Sequence, residues 1–400
     1  MEKKRNLSLP YAAVQCFFWM GFAVISAFAS AYLLAAGLSN GAIGVVLALG
    51  GVTAAVLQPL VAAYADRPGS LSLRVIMLIL SVAEACVGAA LLLGGGRSIG
   101  LCVIAYWLAL TLLQVLQPLV NALSMACLDQ GHTLNFGAAR AVGSAGYAVV
   151  AWVLGGVAAS FGAWVIPLAM LLCFALSALT CLFFPFRKER GETAVSTAEG
   201  ERRGDSPIAF LGRHRRFAGM LAGLIFMYTG HVLVNNFSLQ IVMSKGGGSG
   251  EMGIATAIAA LVELPVMFLF GVIVKRVPCH RMMQISPWFF FLKSLFSLLV
   301  RTITGFYFVQ GCQMLGWALF CVASVYYVNR IMDERDAVKG QAYATMTYSA
   351  ASVIGPLIGG RLIDALGVNA MLIFGSVCGA IGALLMVAFT ERTGMEKGQI

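Results

Sequence analysis

The chain of 400 residues is 60% hydrophobic and only 11% charged, with 27 Lys/Arg against 17 Asp/Glu and a formal net charge of +10. A soluble domain carries roughly 25% charged residues, so a water-facing surface is excluded. A mean hydropathy of +0.88 likewise excludes disordered, collagen-like and disulfide-scaffold chains.

What remains is an all-α integral membrane protein, and at about 20 apolar residues per crossing the chain reads as twelve transmembrane helices. Span 1, residues 9–36, follows Lys3-Lys4-Arg5 as a signal peptide would, but it is too long for one and lacks a small-residue cleavage site. Spans 2 to 6 follow at 40–64, 73–93, 98–126, 137–160 and 163–185. Residues 186–215 then change character: Arg187-Lys188-Glu189-Arg190 opens a segment with little to bury, which predicts a solvated linker. Spans 7 to 12 occupy 216–243, 251–274, 281–300, 305–329, 339–362 and 369–390. Gly246-Gly247-Gly248-Ser249-Gly250 between spans 7 and 8 lacks a following GK[ST] and is a flexible connector, not a phosphate loop.

The loops fix an orientation. Of the 27 Lys/Arg, 21 fall on the side of the N-terminus and linker, and three, Arg97, Lys245 and Arg301, on the other. Such a bias in short loops places the richer side in the cytoplasm, so both termini are expected there, in a bacterial-type inner membrane. Basic residues spread over loops form no basic face interleaved with aromatics, so no nucleic acid is expected. The ten cysteines lie mostly inside apolar runs with no CxxC and no His at ligand spacing, so no metal, cofactor or disulfide framework is expected.

The two sides of the linker resemble each other. An offset of 209 sets Ala42-Ile43-Gly44 against Glu251-Met252-Gly253 and Asp66-Arg67 against Lys275-Arg276, and an offset of 204 sets Val153-Leu154-Gly155-Gly156 against Leu357-Ile358-Gly359-Gly360. Two six-helix halves in the same orientation, residues 1–185 and 216–400, joined by 186–215, describe the parallel repeat of the major facilitator fold. Tyr64-Ala65-Asp66-Arg67-Pro68-Gly69 resembles the loop motif of the major facilitator superfamily, which implies that Asp66 and Arg67 act as a conformational gate; Ala62 stands where the motif has its first Gly. The run Asn135-Phe136-Gly137-Ala138-Ala139-Arg140 through Tyr147 resembles the start of helix 5 in the lactose permease and related sugar or nucleoside proton symporters. That resemblance implies that Arg140 grips solute hydroxyls and Tyr147 stacks on the ring. Leu261-Val262-Glu263-Leu264-Pro265 is similar to the segment carrying the intramembrane acid of helix 8 in that group. Two departures stand out: Ala122 occupies the position of the group's helix 4 acid, and span 10 offers Gln310, Gln313 and Gly316 in place of its Lys, His and Glu.

Ionisable side chains inside a span cost roughly 2.5–3.5 kcal/mol on insertion scales and mark pathways or proton relays by default. Glu84 on span 3 and Glu263 on span 8, ahead of a Pro265 kink, are the candidate proton-coupling acids. Lys293 on span 9 is either a charge partner for one of them or a snorkelling lysine. Arg140 either contacts solute or braces the cytoplasmic side against Asp129. Neutral polar groups collect on single helix faces: Gln114, Gln117 and Asn121 on span 4; His231, Asn235 and Asn236 on span 7; Gln310 and Gln313 on span 10. Each set serves as interhelical glue or lines a polar path. Gly143, Ser144 and Gly146 with Gly355, Gly359 and Gly360 allow close helix contacts, and Arg361 with Asp364 reads as a local ion pair.

Together these features lead to a monomeric secondary transporter in the bilayer, not an enzyme, carrying a small polyhydroxylated solute, sugar or nucleoside, inward with protons by alternating access. The rival keeps the fold and reverses the traffic, as a proton-driven efflux antiporter for amphipathic compounds; Gly355-Pro356 lies on span 11 and span 5 has no Gly-Pro pair, which favours uptake.

Overall fold

The computed structural model describes residues 5–65, 67, 69–185 and 207–392. These are almost wholly helical, with a single isolated bridge between Asn6 and Thr133, and twelve helices are long and apolar enough to cross a membrane. In a bilayer only a helix satisfies its own backbone within one segment, so each apolar run becomes one.

The helices of the first half are α1 (Ser8–Phe22), α2 (Ala29–Ala35), α3 (Asn40–Ala65), α4 (Leu73–Gly94), α5 (Ile99–Asp129), α6 (Phe136–Phe161) and α7 (Val165–Phe183). Those that follow are α8 (Pro207–Arg213), α9 (Arg215–Asn236), α10 (Ser238–Met243), α11 (Ser249–Arg276), α12 (Cys279–Leu299), α13 (Ile303–Val309), α14 (Leu319–Ile331), α15 (Glu334–Leu366) and α16 (Val368–Phe389). Local sequence sets several ends. Ser98, Asn135 and Thr302 side chains accept from the backbone N of Leu101, Ala138 and Gly305, and Glu251 reaches back to the N of Gly248 at 2.8 Å. Gly162 and Gly367 close α6 and α15 at φ +93° and +84°, a region that L side chains avoid.

Three expected continuous spans are interrupted. Span 1 divides at a π-turn, Ala23–Ala27; span 7 breaks at Phe237 after the poor helix formers Asn235 and Asn236; span 10 breaks at Gln310-Gly311 and resumes through a second π-turn, Met314–Ala318. Such turns recur at functional sites and leave no mark in apolar periodicity. Pro265 sits inside the continuous α11. Of the expected linker, 186–206 lies outside the described residues. Pro207–Arg213 is helical, with Phe210 buried against Phe217 and Tyr343 while Ala209, Gly212 and Arg213 stay exposed, and Asp336 faces His214 Nε2 at 3.3 Å and Arg213 at 3.9 Å.

The chain divides into two compact units, unit 1 (Met1–Leu38 and Leu49–Gly204) and unit 2 (Ser39–Ala48 and Asp205–Ile400). In unit 1, α1 packs closely on α6: a Cβ at Gly143 would lie 2.6 Å from Trp19 Cδ1, and one at Gly146 would lie 3.0 Å from Cys16 Sγ. In unit 2 a Cβ at Gly44 would strike the Pro356 carbonyl, and one at Gly360 the Asn40 carbonyl, so the first turns of α3 lie directly on α15.

Asp364 fastens that contact. Its carboxylate accepts from the backbone N of Asn40 (3.0 Å) and Gly41 (2.7 Å) and from Asn40 Nδ2 (2.9 Å), while Gln240 Nε2 donates to Asn40 Oδ1 at 2.9 Å. It therefore caps the positive end of α3 and does not form the expected ion pair with Arg361. Asp364→Ala is expected to lower stability by about 1 kcal/mol, the usual loss for an N-cap, with Asp364→Asn between it and wild type. Thermal unfolding in detergent checks this, and equal midpoints for all three proteins would refute it. Lys245, between α10 and α11, caps the opposite kind of end: its Nζ donates to the carbonyls of Ser297 (2.9 Å) and Val300 (2.7 Å) at the C-terminus of α12. Burial holds its ammonium below the usual lysine range.

Candidate functional site

A buried hydrogen-bonded chain crosses four helices of unit 2. Lys293 on α12 is 3% exposed; its Nζ donates to Asn235 Oδ1 at 3.0 Å and Gln313 Oε1 at 2.7 Å. Gln313 Nε2 in turn donates to Glu263 Oε1 at 2.9 Å. Asn235 Nδ2 lies 2.9 Å from His231 Nε2, and the imidazole stacks on Trp317, with centroids 4.8 Å apart and planes 5° apart.

The polarity of this chain follows from its members. An ammonium only donates, so both amides must turn an oxygen toward Lys293 and a nitrogen away. Gln313 therefore presents N–H to the Glu263 carboxylate. Asn235 presents N–H to His231 Nε2, which makes Nε2 the acceptor and leaves the ring proton on Nδ1. That Nδ1 is buried and has no hydrogen-bond partner among the described residues. A lysine and a glutamate thus share one network through an amide, which is how a membrane interior holds two opposite charges. Trp317 sits within the π-turn that follows Gln313, and Phe290 and Tyr228 close around it edge-on.

A second polar cluster lies in unit 1. Tyr11, Gln15 and Trp19 follow one face of α1 at intervals of four: Trp19 Nε1 donates to Gln15 Oε1 at 2.8 Å, and Gln15 Nε2 donates to Tyr11 Oη at 2.6 Å. Tyr11 Oη donates to the Val120 carbonyl at 3.0 Å. Arg140 on α6 lays its guanidinium 3.9 Å above the Trp19 ring and donates to Ser144 Oγ at 2.7 Å. With Ala122 at the position where the resemblance has an acid, an indole face attracts the charge.

The other sequence candidates fall outside these chains. Tyr147 is half-buried on the same α6 face as Arg140. Gln117 is half-buried and Asn121 exposed on α5. Gln310 is buried but not part of the Lys293 chain. Asp66 lies outside the described residues; Arg67 is exposed in the turn after α3, its backbone N donating to the Tyr64 carbonyl at 3.1 Å. Glu84 is fully buried on α4, in unit 1, and neither carboxyl oxygen has a hydrogen-bond partner. Trp19, Gln15 and Trp317 are members the sequence reading passes over. Gln15 is the signal that would reveal the first two, a lone amide in an apolar span flanked four residues away on each side by aromatics with polar tips.

An all-helical chain of twelve spans with its interior polar groups gathered on a few helices has the architecture of a membrane transporter. The chain belongs to the MFS_1 like family, whose model matches residues 10–374, and is a major facilitator transporter. It is 26% identical over 380 residues to a maltose permease of Geobacillus stearothermophilus, covering 90% of this chain and 89% of that protein. A crystal structure of the nucleoside transporter NupG superposes with a TM-score of 0.80 at 15% identity, covering 96% of this chain and 99% of that one. An auto-inhibited POT family peptide transporter superposes with a TM-score of 0.74 at 10% identity, covering 98% of each chain.

Proposed function

We propose that the protein is a proton-coupled symporter that takes up a small polyhydroxylated solute, a sugar or nucleoside, by alternating access. The observation that carries this reading is the Glu263–Gln313–Lys293–Asn235–His231 chain. Glu263 is its proton-coupling acid: protonation removes the charge that Gln313 and, through it, Lys293 are arranged around, so proton and solute act on the same amides. Lys293 is the charge partner, and His231, Asn235 and Gln313 meet the solute as oriented donors and acceptors. Arg140, Tyr147, Gln117, Asn121 and Gln310 are the further solute contacts, and Asp66 with Arg67 form the gate. Polar faces of this kind fit hydroxyls better than an apolar drug, and the likeness to a maltose permease and to a nucleoside transporter supports the same solute class. The remaining features of the reading are cytoplasmic termini, an inner-membrane location and a monomer.

The test uses purified protein in lightly buffered liposomes, with internal pH recorded as maltose, uridine, an amino acid and a cationic dye are added in turn. Acidification with one hydroxylated class, diminished in Glu263→Gln while solute exchange continues, is the expected result. Undiminished acidification in Glu263→Gln removes Glu263 from the proton path, and alkalinisation by the dye alone overturns uptake.

A further inference from the structure

The carboxyl of Glu84 presents a problem that the Glu263 network does not solve. It is fully buried on α4, the helix that packs on α5 and α7, and both of its oxygens lack a hydrogen-bond partner. A carboxylate with neither counter-ion nor donor is among the most expensive groups to bury, so the side chain holds a proton in this state. An apolar residue would fill the same space without that cost.

Three features point to a proton that is exchanged. First, the offset of 209 that aligns the two halves sets Glu84 against Lys293, so each half carries one buried ionisable group at the same place in its repeat. Lys293 is tied into the polar chain of unit 2, and Glu84 is tied to nothing. Second, two stacked tyrosines lie near it. The Tyr106 phenol lies within electrostatic reach of Glu84, the Tyr106 ring stacks on Tyr32 at 5.7 Å, and Tyr32 Oη reaches the Leu91 carbonyl at 3.5 Å, at the Gly95 end of α4. Third, Tyr106 Oη donates to the carbonyl of Ile25 at 2.8 Å, inside the π-turn of span 1, the one segment of that span whose backbone pattern can shift locally. The other ionisable group against this pair is Cys102 of α5, beside Tyr32. From α7 the nearby polar contact is neutral, Ser177 with Ser81 at 3.2 Å. No cation faces the acid among the described residues.

We propose that Glu84 is a second proton-binding site, housed in unit 1 and separate from the solute chain of unit 2, so that two protons accompany each solute. The proton enters along Tyr32 and Tyr106 when that side is hydrated, is carried on the neutral carboxyl, and leaves to water on the opposite side. This rests on the symport reading, with Glu263 binding the other proton.

The experiment measures the proton-to-solute ratio in liposomes with the membrane potential clamped at zero. A pH difference of one unit is opposed by increasing gradients of maltose or uridine until net flux stops. One proton per solute balances about a tenfold gradient and two balance about a hundredfold one. The expected balance is about hundredfold for wild type and about tenfold for Glu84→Gln, with solute counterflow retained in the variant. A wild-type balance near tenfold overturns the proposal without any variant, so it remains testable even where Glu84→Gln fails to assemble. An unchanged balance in a folded Glu84→Gln overturns it equally and assigns Glu84 a packing role. Failure of the symport reading looks different: neither solute then moves protons in wild type, and both sites fall together.

Discussion

Lys293→Met is expected to lower stability by about 3 kcal/mol, the lower end of the range for removing one member of a buried charge pair, and to abolish transport. Methionine matches lysine in length, so the change removes the ammonium without opening a cavity. A buried acceptor, Gln313 Oε1, and a half-buried one, Asn235 Oδ1, then lose their donor, the buried one at a cost of about 1–3 kcal/mol. Gln313 is also released from the orientation that presents its N–H to Glu263. The diagnostic variant is the double one. Neutralising the acid as well, in Lys293→Met with Glu263→Gln, removes the stranded charge and is expected to recover at least half of the lost stability while proton coupling through Glu263 stays absent. Thermal unfolding of the four proteins forms a double-mutant cycle whose interaction energy reports the pair directly. Additive losses would show that the two charges do not feel each other and that Gln313 relays nothing.

Why some of this architecture is legible in sequence and some is not follows from the solvent. In hydrocarbon every ionisable or amide side chain is conspicuous, so Glu263, Lys293, His231, Asn235 and Gln313 stand out from apolar runs, and the runs themselves define the twelve spans. Partnership is less visible. Lys293 is open to pairing with either acid until the fold brings it to the Glu263 chain through an amide, a three-body link that no spacing rule contains. Gln310 and Gln313 share a face of a continuous helix, yet the break at Gly311 and the π-turn after it separate their surroundings, and only Gln313 joins the chain. Trp19 and Trp317 are illegible for the opposite reason. An aromatic in an apolar span is indistinguishable from packing until a guanidinium or an imidazole is found lying on its face. Asp364 misleads in a third way: its sequence neighbour Arg361 suggests a local pair, whereas the backbone N–H groups of α3, more than three hundred residues away in the chain, are the stronger claim on a carboxylate.

Arg140→Lys is expected to weaken solute binding at least about tenfold, equivalent to about 1.4 kcal/mol, with the proton-coupling acid untouched. A lysine keeps the charge but loses the planar fork and the stacking surface. In this chain that surface holds the group in place, since the guanidinium lies 3.9 Å above Trp19 where the resembling symporters have an acid on helix 4 and this chain has Ala122. Cation–π contacts are worth about 0.5–1 kcal/mol when exposed and about 2 when desolvated, and both partners here are half-buried, so Trp19→Leu is expected to weaken binding about fivefold although an indole donates no hydrogen bond to a solute through its face. The two substitutions should not add: both act by loosening the same group, and the double variant should bind no more weakly than Arg140→Lys alone. Half-saturation of counterflow, which needs no proton gradient, reads this without interference from Glu263 or Glu84. Additive losses would mean that Trp19 touches the solute independently; an unaffected Trp19→Leu would mean that Ser144, 2.7 Å from the guanidinium, suffices to aim it.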